Sequence, residues 1–334
     1  MTTRWTLTIF AASAALAILA PEANATPAPA HAAERTETGF IRMPDGHRLK
    51  FERIGSGPQV IIVPGRLFLR SDFGRLARPD RTFIFYDMRN RGESDRVDDV
   101  ATLTVQQDVA DLEQVRRHFG AERIDLIGYS YLGLMVAMYA LDHPERVGRL
   151  VQLGPVPRDS TTRYPRELTA EDHPPAYPEA DVERARLLRE SGWALQHPRE
   201  YCEIAWSINR FALVGDPGKV DQLGPGWCDM ANEYPTNLRR HFEHHWRSVQ
   251  QVDLAEQTVR ALRQPVLTIH GTWDRNAPYG AGREWAATVA DGRLLTVSGA
   301  AHHPWVEAPE LVFPAIDEFL RGRWPPLAEI VGAR

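Results

Sequence analysis

The chain has few lysines and cysteines, and it lacks the basic blocks and repeats that mark nucleic-acid-binding, membrane-binding or repeat proteins. Only two of its 334 residues are lysine and only two are cysteine, and the basic residues form no block. With a net charge of −5, this composition does not indicate binding to nucleic acid or to an anionic membrane surface. Neither a repeat period nor a coiled-coil heptad pattern is present. A large globular α/β domain therefore accounts best for the composition.

The single long apolar run lies at the N-terminus. It extends from Leu7 to Ala20, after the positive charge of Arg4, and small-residue sites such as Ala23-Asn24-Ala25 follow it. This pattern predicts a Sec signal peptide over residues 1–25, with an uncleaved anchor as the alternative. Since no cysteine lies directly after this run, where a lipid would be attached, lipid anchoring is not indicated. The mature protein is expected to be periplasmic or extracellular, without stable membrane insertion. Its first residues, 26–38, are rich in alanine and proline and are expected to form a linker that precedes the folded domain.

The two cysteines are expected to form a disulfide. Export to an oxidising compartment and an even cysteine count favour a bond between Cys202 and Cys228. Two buried free thiols are the alternative, because the sequence does not reveal the distance between them.

Strands and helices alternate along most of the chain. Short apolar runs that alternate with helical patterns over residues 39–154, and again over residues 251–334, predict a mostly parallel sheet wrapped by helices. The alternation stops at Gly154-Pro155. Residues 155–250 contain a proline-rich stretch and three helical segments rich in aromatic residues, and we interpret them as a helical cap inserted into the α/β core.

One serine lies at a sharp turn between a strand and a helix. The apolar run Ile124–Ile127 ends at Gly128, and a helical pattern begins within three residues, so Ser130 is expected to stand above the sheet at a helix N-terminus. A helix N-terminus offers free N–H groups to an oxyanion. A plain hydroxyl is a weak nucleophile, so this hypothesis needs a base and an orienting acid elsewhere. The alternative is a simple helix N-cap.

Candidate partners for Ser130 follow two later strands. Asp274 follows the strand that begins at Val266, and His302 follows the strand Gly292–Val297, which gives the chain order Ser, Asp, His. Asp291 is a weaker candidate acid because it precedes a strand and is expected at the opposite sheet edge. His303 is a weaker candidate base and is expected to point away from the serine.

These motifs resemble those of the α/β-hydrolase superfamily, and within it those of prolyl-aminopeptidase-like members and related esterases. The resemblance implies an oxyanion hole made by the backbone N–H groups of Arg66 and Tyr131. Two departures stand out: Leu132 replaces the second glycine of the Gly-x-Ser-x-Gly pattern, and an arginine follows Gly65 where prolyl aminopeptidases continue with glycine. The segments that carry the resemblance are Val60–Arg66, Phe83–Ser94, Gly128–Gly133, His270–Asp274 and Gly299–Pro309.

The resemblance implies a serine hydrolase that acts on small to medium esters, needs no cofactor and binds no metal, and the predicted signal peptide makes it a secreted one. A prolyl-type aminopeptidase is one alternative, in which Glu203 and Glu233 of the cap are candidates to hold a free amine. A ligand-binding protein with a vestigial triad is the other alternative.

The histidines at 241, 244 and 245 suggest a metal site, but a solvated helix face is the favoured interpretation. The sequence does not predict the oligomeric state.

Overall fold

An eight-stranded sheet runs through the part of the chain that the structure, a computed structural model, describes: residues 36–224 and 226–332. The spatial order is β1-β2-β4-β3-β5-β6-β7-β8. The β1–β2 and β2–β4 pairs are antiparallel and all the others are parallel, so the predicted fold class is confirmed. The strands are β1 (Thr36–Arg42), β2 (Arg48–Gly55), β3 (Gln59–Pro64), β4 (Arg81–Tyr86), β5 (Ile124–Tyr129), β6 (Val147–Leu153), β7 (Val266–Gly271) and β8 (Gly292–Val297).

Helices connect the parallel strands and cover both faces of the sheet. The core helices are α1 (Arg66–Phe73), α2 (Val105–His118), α3 (Tyr131–Asp142), α8 (Glu256–Arg260), α9 (Tyr279–Thr288), α10 (Pro304–Glu307) and α11 (Pro309–Leu320). Four helices lie in the predicted cap: α4 (Glu179–Glu190), α5 (Trp193–Gln196), α6 (Pro198–Asn209) and α7 (Pro235–Gln250). None of the helices in the described residues is both long and apolar enough to span a membrane.

The antiparallel hairpin β1–β2 begins inside the predicted linker. Residues 36–38 were expected in the linker, yet Thr36 pairs with Ile54 as the first residue of β1. The polar side chains of this stretch gave no strand pattern, and they suit β1 because it is the exposed edge of the sheet. The predicted signal peptide and the rest of the predicted linker lie outside the described residues. At the other edge, Glu329 pairs with Leu294 of β8 in an isolated bridge.

The central strands are buried on both faces. Every residue of β4, β5 and β7 is buried, which is why these strands appear as continuous apolar runs rather than alternating patterns. One apolar cluster, with α2, α3 and α9, covers one face; the other, with α1 and α11, covers the opposite face. This packing holds the carboxyl ends of β3, β5, β7 and β8 at one edge, where the predicted site residues lie.

Close contact between β5 and α3 explains how Leu132 is tolerated. A Cβ added to Gly128 would clash with the Leu132 carbonyl oxygen, so it is Gly128 that lets the helix approach the strand. Gly133 faces Pro155 at the end of β6, where an added Cβ would lie 3.0 Å from the proline ring. The Leu132 side chain is buried and points toward the loop at Gly65. The elbow therefore obtains its close packing from the glycines on either side of Leu132.

The cap and the core belong to one compact unit, and α7 connects them. His241 and His245 of α7 are 2% and 1% exposed, so the predicted solvated face is wrong for these two residues. The two rings stack 5.0 Å apart, His245 bonds to Asp108 of α2 at 2.8 Å, and its ring packs 4.8 Å from Tyr131. Burial, the nearby Arg91 and His245 lower the pKa of His241 to about 2.

The contact between β5 and α3 can be tested by adding one methyl group. Gly128→Ala should lower the free energy of unfolding by about 1 to 3 kcal/mol, because the new Cβ meets rigid helix backbone. Gly224→Ala is the matched control, since open space surrounds that position. Chemical denaturation of both variants measures the effect, and equal losses would contradict the packing argument.

Burial of neutral His241 predicts acid-sensitive stability. In the unfolded chain this histidine takes up a proton near its ordinary pKa of 6.5, whereas in the fold it stays neutral down to about 2. The unfolded state therefore binds more protons between these values, and stability falls as the pH falls. His241→Phe should reduce the slope of unfolding free energy against pH, between pH 6 and 4, by about 1.4 kcal/mol per unit. Denaturation curves at several pH values measure it, and an unchanged slope would refute the assignment.

Candidate active site

Ser130 occupies a strained turn between β5 and α3. Its φ of 58° and ψ of −127° are unusual for a residue with a side chain, and its backbone N–H donates to the Leu153 carbonyl at 2.9 Å. Tyr131 is the first residue of α3, so its N–H belongs to the first turn, where such groups have no intrahelical acceptor. The turn thus presents a hydroxyl and a free backbone donor side by side, as the elbow geometry requires.

Asp274 and His302 are in direct contact. The His302 Nδ1 atom lies 2.7 Å from Asp274 Oδ2, and both side chains are buried. The other carboxylate oxygen accepts the N–H groups of Asn276 and Ala277, both at 2.9 Å. Burial alone raises the pKa of Asp274, but the electrostatic interaction with His302 and the hydrogen bonds from His270 and His302 outweigh it and lower the pKa well below its usual range. Asp274 is therefore ionised at neutral pH.

The two weaker candidates lie in different surroundings. Asp291 is exposed and precedes β8, where its carbonyl accepts the N–H of Val266 at the start of β7, so it lies at the opposite edge from Asp274. His303 does line the same cavity as Ser130 and His302. Its ring stacks on Trp305 at 4.4 Å and packs 5.3 Å from Tyr129. Burial and the neighbouring His302 lower the pKa of His303 to about 3, so it is neutral.

Sequence patterns did not single out His270, which also contacts the Asp274 carboxylate. Its Nε2 atom lies 3.2 Å from Asp274 Oδ2 and 3.1 Å from the Ala277 carbonyl. His270 is fully buried, and Gly282 packs so closely on its ring that a side chain there would clash. His270 and Asp274 are four residues apart, a spacing that brings side chains together on a helix. Because a turn joins these two residues, the spacing alone does not predict their contact.

The loop after β3 presents a backbone donor next to the elbow. Gly65 has a φ of 86°, and Arg66 starts α1 immediately after it. The Leu67 N–H is already bound to Asp87 Oδ1 at 2.8 Å, which leaves the Arg66 N–H as the unassigned donor of this turn. The Arg66 guanidinium bonds Asp87 at 2.8 Å and Glu93 at 2.6 Å. The Arg66 side chain therefore points to these two carboxylates and is not among the residues that line the neighbouring cavity.

A cavity of about 730 Å³ separates the elbow from the cap. Ser130, Tyr131, His302 and His303 lie on its core side. Most of its remaining wall is apolar. Tyr177 comes from the loop before α4, and the other apolar residues come from α1, α6, α7 and the segment between α6 and α7: Phe68, Tyr201, Ala205, Trp206, Ala212, Leu213, Trp227, Leu238, Phe242 and Trp246. Its size falls within the range of ligand pockets.

One buried ion pair also lines this cavity and was not predicted. Arg91 donates to Glu233 from Nε at 3.0 Å and from Nη2 at 2.8 Å, and Glu233 accepts the Gly92 N–H at 2.7 Å as well. Glu233, a candidate to hold an amine, is thus already paired across the cap–core boundary. Glu203, the other candidate, is exposed, lies 3.7 Å from Arg199 and does not line the cavity.

Metal binding has no visible site in this region. In residues 36–224 and 226–332, no group of three or more His, Cys, Asp or Glu side chains is placed to hold a metal ion. His244, the third histidine of α7, is only partly buried and does not complete a set with the other two.

Comparisons with known proteins agree with this architecture. A family profile described as the alpha/beta hydrolase fold matches residues 68–194. A putative proline iminopeptidase of Mycoplasma pneumoniae is 32% identical over 116 residues, 33% of this chain and 38% of that protein, so the match spans well under half of the relative. A putative 2-succinyl-6-hydroxy-2,4-cyclohexadiene-1-carboxylate synthase of Bacillus subtilis is 26% identical over 72% of this chain and 82% of its own length.

Among solved structures, an esterase from Exiguobacterium antarcticum superposes with a TM-score of 0.63 at 18% identity, covering 84% of this chain and 98% of that one. At that identity the likeness concerns the fold alone. Together with the family profile and the sheet order, it shows that the chain has the α/β-hydrolase fold and that it is similar in sequence to proline iminopeptidases and in fold to an esterase.

Proposed function

We propose that the protein is a serine hydrolase that acts through an acyl-enzyme intermediate. The observation that carries the proposal is the 2.7 Å contact between Asp274 and His302, together with the position of His302 and of the strained Ser130 turn on the wall of one cavity. Because ionised Asp274 accepts from Nδ1 of His302, the neutral imidazole keeps its proton there and leaves Nε2 free as a base. That is the nitrogen that a serine hydroxyl needs.

The proposed reaction has two acyl transfers. His302 Nε2 takes the proton of Ser130 while the serine oxygen attacks the substrate carbonyl, and the N–H groups of Tyr131 and Arg66 stabilise the oxyanion. The imidazolium then gives its proton to the leaving group. Water attacks the acyl-enzyme with His302 again as the base, and Ser130 regains its proton. Throughout, Asp274 stabilises the charged imidazole.

An ester is a better substrate for this cavity than an N-terminal proline. Binding a free α-amino group requires carboxylates that are not already paired, because an ammonium loses its hydration on burial. Glu233 is occupied by Arg91 and Gly92, and Glu203 lies on the surface. An ester needs only an apolar wall and the oxyanion donors, and both are available.

Labelling with a fluorophosphonate probe distinguishes an enzyme from a ligand-binding protein, since a vestigial triad would leave Ser130 unlabelled.

We also propose that the enzyme is exported to the periplasm or beyond the cell. Support comes from the N-terminal sequence pattern and from the Cys202–Cys228 disulfide, since such bonds persist in oxidising compartments. The mass of the protein recovered from a secreting host tests this, because cleavage near residue 25 should remove the N-terminal segment.

Substitution of the proposed nucleophile should abolish turnover. Ser130→Ala should lower kcat on p-nitrophenyl butyrate by more than about a thousandfold, and His302→Ala should do the same, because triad members act together. His303→Ala serves as the neighbouring control and should cost less than about tenfold. Steady-state kinetics on variants with native circular dichroism measure this. If His303→Ala were the more severe of the two, His303 would be the base.

Ester hydrolysis should exceed peptide hydrolysis. After correction for uncatalysed reactivity, kcat/KM for p-nitrophenyl butyrate should be greater than that for proline p-nitroanilide, because Arg91 neutralises Glu233, the buried carboxylate found in the cavity wall among residues 36–224 and 226–332. Glu203→Gln should leave both values unchanged. A preference for the anilide that Glu233→Gln selectively removed would instead establish the aminopeptidase alternative.

A further inference from the structure

Three aromatic rings form a continuous wall of the cavity. Phe68 and Trp227 meet edge to face with centroids 4.7 Å apart, and Trp227 and Trp206 lie 4.7 Å apart at an angle of 56°. All three line the cavity and are only partly buried, so each keeps ring surface that protein atoms do not cover. We refer to Phe68, Trp206 and Trp227 as the aromatic wall.

The wall begins next to the reacting groups. Phe68 lies on the first turn of α1, and its ring approaches within 3.3 Å of where a Cβ on Gly65 would stand. Gly65 directly precedes the proposed oxyanion donor Arg66, and the Phe68 ring also packs 6.2 Å from Tyr129. A substrate carbonyl at Ser130 therefore has Phe68 as its neighbour, with the two tryptophans extending the wall into the cap.

The disulfide holds the two tryptophans in place. Cys202 and Trp206 are four residues apart on α6 and so lie on the same face of that helix. Cys228 directly follows Trp227, and the Cys202–Cys228 bond, with Cα atoms 5.6 Å apart, ties the two segments together. Both cysteines also line the cavity. The bond thus limits the relative movement of Trp206 and Trp227.

Two further contacts restrict the rings. Gly226 lies against Trp206 so closely that an added Cβ would be 2.7 Å from the indole. The Arg91 guanidinium lies over the Phe68 ring at 5.1 Å from its centroid, and its bonds to Glu233 hold it there. An aromatic surface fixed before binding loses little entropy when a ligand docks on it.

The charges of the cavity favour a neutral ligand. Arg91 and Glu233 are the two charged side chains among the lining residues other than the histidines, and they neutralise each other. A carboxylate or an ammonium entering the cavity would lose its hydration without an unpaired counter-charge. A flat neutral ring would gain edge-to-face or stacked contacts instead.

We propose that the aromatic wall binds a planar, uncharged aromatic ring of the substrate, and that the Cys202–Cys228 disulfide holds the wall in shape. This inference rests on the proposed function and specifies its substrate class: neutral esters that carry an aromatic ring one methylene from the ester group. The cavity of about 730 Å³ has room for such a ring beside the reacting carbonyl.

Matched esters test the proposal on the wild-type enzyme. Methyl phenylacetate is compared with methyl cyclohexylacetate, and benzyl acetate with cyclohexylmethyl acetate, because each pair differs in the planarity of the ring far more than in reactivity. In at least one pair, kcat/KM should be about 3 to 10 times higher for the aromatic member, as expected for one added aromatic contact. The pair that shows it tells whether the ring lies on the acyl or the alcohol side. Equal values in both pairs would overturn the proposal.

Variants assign the preference to the wall. Trp227→Leu and Cys202→Ala/Cys228→Ala should each reduce the aromatic-to-cyclohexyl ratio toward one. Trp193→Leu is the control, because that tryptophan stacks on His197 of the cap and does not line the cavity, so the ratio should stay at the wild-type value. A folded double cysteine variant with an unchanged ratio would refute the role of the disulfide, and an unchanged ratio in Trp227→Leu would refute that of the wall.

A binding measurement separates this inference from the proposed function. Calorimetric titration of the Ser130→Ala variant with methyl phenylacetate and methyl cyclohexylacetate needs no turnover. Tighter binding of the aromatic ester supports the wall even if the wild-type enzyme hydrolyses neither compound, a result that would reject the hydrolase proposal alone. Equal affinities together with normal ester hydrolysis would reject the wall and leave the proposed function standing.

Discussion

The backbone strain at Ser130 is the constraint on which the active-site region depends. A φ of 58° is strained for a residue with a side chain, so other contacts must stabilise it. The hydrogen bond from Ser130 to Leu153 does so, and Gly128, which has no side chain, allows α3 to pack close to β5. The β5 strand must be buried on both sides for this support to be rigid, which the two apolar clusters ensure. Because strand and helix are locked, the hydroxyl and the first N–H of α3 keep one relative position.

Much of the geometry of the candidate site was predictable because it is local. The positions of Ser130, Asp274 and His302 follow from short apolar strands that end in turns, and parallel strands bring their carboxyl ends to one edge. The hairpin β1–β2 and the helix capped by Thr104 were predictable for the same reason. In each of these cases, the residues that form the sequence pattern lie within a few positions of the turn, strand or helix that the pattern predicts.

Other features were not predictable because their partners are distant in sequence. The direction of the Arg66 side chain is set by Asp87, 21 residues away, and the state of Glu233 by Arg91, 142 residues away. Burial of His241 and His245 depends on how α7 meets α2 and α3, and the charge pattern of α7 alone favoured a solvated face. Such contacts arise from tertiary packing, which overrides local pattern.

The small bridge between Glu329 and β8 has a consequence for the protein in solution. An open sheet of this kind ends in two strands whose outer N–H and C=O groups are free to pair with another chain. On the β8 side, backbone of the C-terminal segment already takes up the Leu294 groups through bonds of 2.9 Å and 2.8 Å. On the β1 side the exposed strand carries Glu37 and Arg42, whose charges oppose the docking of a foreign strand. The C-terminal segment therefore covers the Leu294 position of the β8 edge, and charged side chains flank the backbone of the β1 edge.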